Sequence, residues 1–568
     1  MSMQPRPLDE VPETTSRIAH RSFPKGTLAM TLRDELGSIF TDETFAHLFP
    51  KRGRRAEAPW RLAVVTVLQT IEHLTDRQAA EAVRARIDWK YALSLPLDDE
   101  GFDFSILSDF RQRLIDAHAQ SLVLEPILTI SRERGWLKAG GKQRTDSTAV
   151  IAAVRALNSL ESVGESMRAA LNDLAQLHPE WLGSHLEPSW FDRYVHRFEM
   201  TRFPKSESKQ QALRCQVGED VARLFECLDH PETPSTLGQL PSVRRLRQIF
   251  EQHYERGRSG VRWRDGPAVT NENRIVSPYD EQARSSRKRE LIWLGYKVHL
   301  TETCDQDPHA PHLILQVHTV PATVPDSLAV EPILQDLRER KIAPATLLVD
   351  QGYMSAPSLV TQAKQGTQVI GPLRESTSWQ AQAGKGYGLY DFEVDWQHQH
   401  VRCPQGHVSQ RWGPFLDRHG TDKIEVRFPP KICQACVARE HCTTGVKGRI
   451  LKLLPREAYD ALEKRRKEQY TPAFQEEYAR RAGIEGTISQ AIRRTRLRRS
   501  PYRGERKTHL HHVQIAAGIN VVRIIAHLQA QAQSKHARFE RRAAPLLVSR
   551  RWLDRNVQMS EQKFPTES

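Results

Sequence analysis

The sequence predicts a mixed α/β core with an all-helical N-terminal domain and a cysteine-rich insertion. Three observations carry this. Short β-branched segments alternate with helical ones between residues 142 and 370, the pattern of a mixed sheet covered by helices. Before residue 136 the apolar spacing is helical. Between residues 375 and 450 the rhythm gives way to Gly, His, Gln and Pro, and four of the seven cysteines fall there.

Composition narrows the function classes. A chain of 568 residues has room for more than one domain, and 39% hydrophobic with 27% charged residues is a globular balance. Lys and Arg exceed Asp and Glu by 14, and the pI is near 9.5. Such an excess points to a polyanion, either nucleic acid or an anionic membrane surface. No apolar run approaches the ~20 residues that span a bilayer, and the N-terminus lacks the apolar core of a signal peptide. Nucleic acid is therefore the expected partner, with no membrane, and the cytoplasm the expected compartment. An odd cysteine count without an export signal argues against a disulfide framework.

In chain order, residues 1–25 contain Pro5, Pro7, Pro12 and Pro24 and read as a poorly ordered lead-in. Residues 26–135 form the helical domain. Segment 62–74 (LAVVTVLQTIEHL) is apolar almost all round, as in a buried helix. Thr75 with Gln78 reads as a capping box that opens the next helix. With the basic KRGRR at 51–55, this pair fits either a helix-turn-helix DNA reader or a plain bundle. Residues 136–374 hold the first part of the core. Segment 142–151 (KQRTDSTAVI) is a strand with Asp146 at its centre, and 152–265 is a helical insert ending in a basic patch, 244–264. Strands follow at 292–303, 312–320, 345–349 and 368–370, with helices at 327–341 and 356–364; Asp350 ends the third of these strands. Residues 375–450 are the cysteine-rich insertion. Residues 451–530 complete the core, with a last apolar helix at 515–528, and 531–568 form a basic, loosely ordered tail.

The chemistry concentrates at 478–504 (YARRAGIEGTISQAIRRTRLRRSPYRG), where Glu485 is the one acid after Gly483, among six arginines. Tyr478, Arg481 and Glu485 share a helical face at i, i+3 and i+7. Gly483 and Gly486 strip bulk from either side of the glutamate, leaving room for a metal ion and a DNA backbone. An isolated Asp at a strand end is more often a local hydrogen-bond acceptor. Asp146, Asp350 and Glu485 together are a set of hard carboxylate ligands that suits Mg²⁺ or Mn²⁺. Paired divalent ions activate the attacking oxygen and stabilise the leaving one in phosphodiester chemistry. Separately, Cys403, Cys433, Cys436 and Cys442 have the composition of a structural Zn²⁺ site, with His407 and His441 as alternative ligands. Four unliganded buried thiols are the plainer reading. Such a site would hold together an insertion too small and polar to build its own core.

Five motifs then occur in a telling order: TDST at 145–148, SPYDEQARSSRKR at 277–289 leading into LGYKVHL at 294–300, LLVDQGY at 347–353, GIEGTISQ at 483–490 and LRRSPYRG at 497–504. Together they resemble the Asp-Asp-Glu transposases of bacterial insertion sequences, in the group with a cysteine-rich insert before the catalytic Glu. The resemblance runs from about residue 31 to 528. It implies an RNase H-like catalytic core with Asp146, Asp350 and Glu485 as a catalytic, metal-binding triad. It further implies double-stranded DNA, both element ends and target, as substrate, and a homodimer in the complex that pairs two ends. Relatives carry a tyrosine, an arginine, the glutamate and then a lysine along this helix. Tyr478, Arg481 and Glu485 fit the first three. At the fourth this chain has Ile492, with Arg493 beside it as the substitute phosphate contact. Arg494, Arg498, Arg499 and Arg503 complete the expected DNA-binding set, while the N-terminal helices would read sequence. The function expected is binding of terminal inverted repeats followed by cleavage and strand transfer. A DNA-binding regulator derived from a transposase, and a nuclease that cuts without joining, are the alternatives.

Overall fold

The computed structural model describes residues 2–198, 203–204, 206–257, 260–266, 268–376, 378–382, 386–417 and 420–561, with side chains described through 533. The described chain divides into two units. One comprises residues 1–137, 306–314 and 513–568; the other comprises 138–305 and 315–512.

The first unit is helical. Its buried centre is α2 (Pro59–Glu72), in which every residue from Trp60 to Leu68 except Arg61 is buried, so a sequence apolar on all faces yields a helix covered on all faces. The Thr75–Gln78 capping box forms as predicted and opens α3 (Asp76–Ala85). The lead-in is a correction: residues Glu13–Ser22 form a helix, α1. Ala19 packs with Met30 and Tyr91, and Thr15 donates to the Leu95 carbonyl, 2.9 Å away. These apolar and polar anchors outweigh the disorder suggested by the flanking prolines.

The second unit carries the sheet. β1 (Lys142–Ile151) lies at its centre, antiparallel to β3 (Leu291–Thr303) and parallel to β5 (Thr346–Leu348). The order is β2 (Arg284–Lys288), β3, β1, β5, β6 (Gln368–Ile370), and β4 (Ile314–Pro321) also pairs with β3. This mixed sheet, with helices around it, is the RNase H-like arrangement expected from the sequence. Gly295 of β3 has φ +148°, and an added Cβ would collide with the Val150 carbonyl of β1, so only glycine lets the two strands approach there.

Between β1 and β2 the helical insert builds its own core. α5 (Ser159–Leu177), α6 (Glu207–Leu228) and α7 (Pro241–His253) enclose Trp190, Phe198, Phe225 and Tyr254. The cysteine-rich insertion also has a core, contrary to expectation. Phe392, Val401, Val426, Phe428, Leu451 and Leu453 cluster across short strands at Arg411–Leu416, Asp422–Arg427 and Ile450–Leu453. Its aromatic and branched residues are few but converge from distant positions, which composition cannot reveal.

The last helix, Glu505–Glu561, corrects two further expectations. The tail expected to be loose continues this helix as far as Glu561; it is rich in Ala and Arg, both strong helix formers. Its arginines, Arg538, Arg541, Arg542, Arg550, Arg551 and Arg555, lie outside the residues whose side chains are described. Its Glu505–Gln533 portion is long and apolar enough to cross a membrane by length and composition, although 61% of its apolar stretch is buried in the protein. Ile515, Ala516, Ala517 and Val521 are fully covered, as in a core helix.

Candidate active site

β1 sets the first acid. Asp146 lies opposite Leu300 of β3, and the strand pair is locked beside it by the Thr145 and Thr301 hydroxyls, 2.8 Å apart. The parallel register pairs Lys142 with Thr346 and Arg144 with Leu348. Asp146 and Asp350 each lie two residues beyond the last of these pairs, and the two carboxylates act on one another. Asp350 leaves the strand as the N-cap of a short 3₁₀ turn, and its Oδ1 accepts the Gly352 amide at 2.7 Å.

The third acid arrives on α10 (Gly483–Arg494), which follows α9 (Pro472–Ala479) after a single 3₁₀ turn. What docks these helices is a buried polar network that sequence reading missed. Arg144, next but one to Asp146, donates from Nε to Glu302 at 2.7 Å and from Nη1 to the Arg480 carbonyl at 2.6 Å. Glu302 is fully buried on β3 and accepts the Thr487 hydroxyl of α10 at 2.6 Å. Lys142 adds an ion pair to Glu477 of α9. Each partner is an ordinary residue type; only the 158-residue separation between Arg144 and Glu302, closed by strand pairing, brings them together.

This network also changes the meaning of Gly483. An added Cβ there would overlap the Arg144 guanidinium, so the glycine makes room for that arginine rather than for a metal. Gly486 does face open space.

Arg481 stands between the acids. Its Nη2 pairs with Asp146 Oδ2 at 2.7 Å and its Nη1 with Glu485 Oε1 at 3.2 Å, while its Nε is buried without a protein partner. Burial pushes the Asp146 carboxyl above the usual range and Asp350 adds to the rise, against the pull of Arg481 and the Ser147 amide. Burial works against the Arg481 charge too, but Asp146, Tyr478, Asp350 and Glu485 together hold it above the ordinary arginine value. Tyr478, half-buried and stacked on Phe474, borders the same cluster. The structure thus brings Asp146, Asp350, Glu485, Tyr478 and Arg481 into one neighbourhood.

The other expected arginines distribute differently. Arg493 is exposed and bonds the Ser489 carbonyl of its own helix, and Arg494 is exposed at the helix end. Lys288 of β2 also acts on Asp146 as a second cation. Arg498 donates to the Thr148 hydroxyl of β1 at 2.9 Å, Arg499 bridges Ile151, and Arg503 covers the Tyr279 ring at 5.0 Å. All seven cysteines are free. Cys403, Cys433, Cys436 and Cys442 line one cavity of about 20 Å³ with His407, room for one water-sized guest. Burial and the three neighbouring thiols raise the Cys442 thiol, against Arg449. Among the described residues, no three His, Cys, Asp or Glu side chains converge as a finished metal-ligand set.

The class that the fold defines is an RNase H-like α/β protein with an acidic cluster on its central strands. Residues 402–525, a span that includes Glu485 and the arginines after it, match the model of a transposase DDE domain. Residues 18–113 match that of a transposase domain (DUF772). The two matches support a DDE transposase. No curated protein and no solved structure matches the chain.

Proposed function

We propose that this chain is a transposase that binds the terminal inverted repeats of its own insertion sequence, cuts there and joins the freed ends to target DNA. The observation that carries the reading is the gathering of Asp146, Asp350 and Glu485 around Arg481, in a chain with a DDE transposase domain match. Double-stranded DNA is the substrate, pairing of two ends calls for a homodimer, and the cytoplasm is the compartment.

The donor set fits a hard divalent cation: three carboxylates, one of them desolvated and raised by its acidic neighbour, which a cation would relieve. Asp146, Asp350 and Glu485 would hold Mg²⁺ or Mn²⁺, which when bound supplies Lewis-acid activation of the attacking and leaving oxygens. The chain's own residues do the rest. Arg481 gives up Asp146 and Glu485, and the terminal nitrogens that held them become donors for a phosphate oxygen. The Arg144–Glu302–Thr487 network keeps α10 in register with β1, so Glu485 is presented at a fixed height. Arg498, Arg499 and Arg503 neutralise backbone phosphates, with Arg493, Arg494 and Tyr478 on the flank. Sequence reading falls to the N-terminal helices, where Arg77 and Arg84 of α3 are exposed. The overall change is hydrolysis of a phosphodiester at the element end, then attack of the freed 3′-hydroxyl on a target phosphodiester with departure of a target 3′-hydroxyl.

Zinc in the cysteine cavity forms a second part of the proposal, supported by four thiols lining one small enclosed space. For the active site the test is Glu485→Gln on DNA carrying the element ends. Binding is expected to persist while Mg²⁺-dependent cleavage falls by at least three orders of magnitude. Cleavage that survives the substitution removes Glu485 from the mechanism.

A further inference from the structure

The register between β1 and β5 stops short of the acids. Its last pair is Arg144 with Leu348, so Asp350 is carried by the 3₁₀ turn Gln351–Tyr353 rather than by the ladder. Inside that turn Asp350 Oδ1 accepts the Gly352 amide, and the Asp350 carbonyl accepts the Tyr353 amide at 3.2 Å. Just before it, Val349 N donates to the Ile370 carbonyl at 2.9 Å. These bonds shape the turn and tie it to β6, and they leave its placement against β1 to side chains. Placement matters because Asp350 raises the Asp146 carboxyl, and two like charges left to themselves separate.

The far face of β3 supplies the hold. Asp146 and Ser147 point to opposite faces of β1, and Ser147 pairs with His299, which therefore shares its face. His299 Nδ1 lies 2.6 Å from the Tyr353 hydroxyl with the rings edge to face, and the same hydroxyl hydrogen-bonds Ser147. Both His299 and Tyr353 are fully buried. Burial lowers His299 to about 3 and holds the Tyr353 phenol well above its usual range, so the pair is uncharged at neutral pH. His299 Nε2 is buried without a partner among the described residues, a cost that an apolar side chain filling the same space would avoid. Two residues earlier on the same face, Lys297 pairs with Asp326 at 2.7 Å. Asp326 Oδ2 lies 3.3 Å and Asp350 Oδ1 3.0 Å from the point a Cβ would occupy on Gly352, so a glycine seats the turn between these carboxylates.

We propose that His299 is a positioning residue of the acidic site: through the Tyr353 hydroxyl it fixes the turn that carries Asp350 against the strand that carries Asp146, so that both carboxylates stand ready for a divalent cation. The inference rests on the active-site reading and adds to it His299 and Tyr353, which act from the face opposite Asp146. Lys297 and Asp326 close the other side of the turn. A brace formed before the cation arrives removes the ordering cost from metal binding.

The test uses full-length protein without DNA, with Mn²⁺ affinity read by electron paramagnetic resonance of the free ion. Tyr353→Phe keeps the ring and its packing but removes the hydroxyl, and His299→Leu removes the other partner. Thr319→Val is the comparison: it deletes a buried hydroxyl 2.8 Å from the His512 imidazole, a bond of the same kind elsewhere in the sheet. Tyr353→Phe and His299→Leu are each expected to weaken Mn²⁺ binding about tenfold or more. The double variant should lose no more than either, because the same bond is lost in all three. His299→Gln, whose amide can meet the hydroxyl, should recover most of the affinity, while Thr319→Val should lower the melting temperature and leave Mn²⁺ affinity unchanged. Unchanged affinity in Tyr353→Phe overturns the proposal, and so does an equal loss in Thr319→Val, which would reduce the effect to general stability. Either result leaves the active-site reading standing provided Asp350→Asn removes Mn²⁺ binding. Mn²⁺ binding that survives Asp350→Asn, or none by the unaltered protein, overturns that reading and the proposal with it.

Discussion

Replacing Gly483 by alanine sets two effects of opposite sign against each other. Helix propensity alone favours alanine by up to ~1 kcal/mol. Against it stands the Arg144 guanidinium, which occupies the space a Cβ needs. Arg144 is not a loose chain end: Glu302 and the Arg480 carbonyl hold it at 2.7 and 2.6 Å, and its side chain is 9% exposed. Moving it leaves the fully buried Glu302 without its cation, a change worth roughly 3–5 kcal/mol when a buried pair is broken. Partial relaxation and the propensity gain leave a net loss of about 2–4 kcal/mol in the docking of α10. Hydrogen exchange read on a peptide covering residues 480–494 reports that local stability. The amides there should exchange about two orders of magnitude faster, at ~1.4 kcal/mol per tenfold, with peptides of the cysteine-rich insertion unchanged. Slower exchange, or a raised melting temperature, would show that propensity wins and that the Arg144 network does not hold the helix.

Further outcomes follow from the same geometry. Thr487→Val removes one bond to the buried Glu302 and should cost about 1–3 kcal/mol, read as a lower urea midpoint for the second unit. Burial lowers His253 and His509 to about 4, below the unfolded value near 6.5. Their neutral forms therefore stabilise the fold fully above pH 6.5, and this contribution is lost as pH falls toward 4. Each gives a slope of up to ~1.4 kcal/mol per pH unit. Melting temperatures taken at pH 7.5, 6.5, 5.5 and 4.5 should be level at first and then fall; a flat series contradicts the burial account. Elemental analysis of purified protein should find one zinc per chain, lost on Cys433→Ser/Cys436→Ser; well under one zinc returns the four cysteines to plain thiols.

The three proposed acids stand out in the sequence because each carries a local signature: Asp146 in a β-branched strand, Asp350 where an apolar run stops, Glu485 among arginines at helical spacing with Tyr478 and Arg481. Such signals span a few residues and need no tertiary knowledge. The supports were not legible. Arg144, Glu302 and Thr487 become a network only after two strands pair and a helix lands on them, and nothing in their immediate neighbours marks them. The same long range brings Lys288 to act on Asp146, and gives Gly483 a reason different from the one its position suggested. The N-terminal helix around Ala19 and the core around Phe392 were missed because burial depends on distant partners, while proline content and polarity are counted locally.

The proposed function requires one acidic site both to cut and to join DNA. Incubation of the protein with duplexes bearing the element ends, a target plasmid and Mg²⁺, with product junctions sequenced, tests it most directly. The expected products are 3′ ends of the element joined to target strands, with no such joints from Asp146→Asn, Asp350→Asn or Glu485→Gln. Cleaved ends without joints would make the protein a hydrolytic nuclease. Bound, uncut DNA would make it a regulator, and either result contradicts the account.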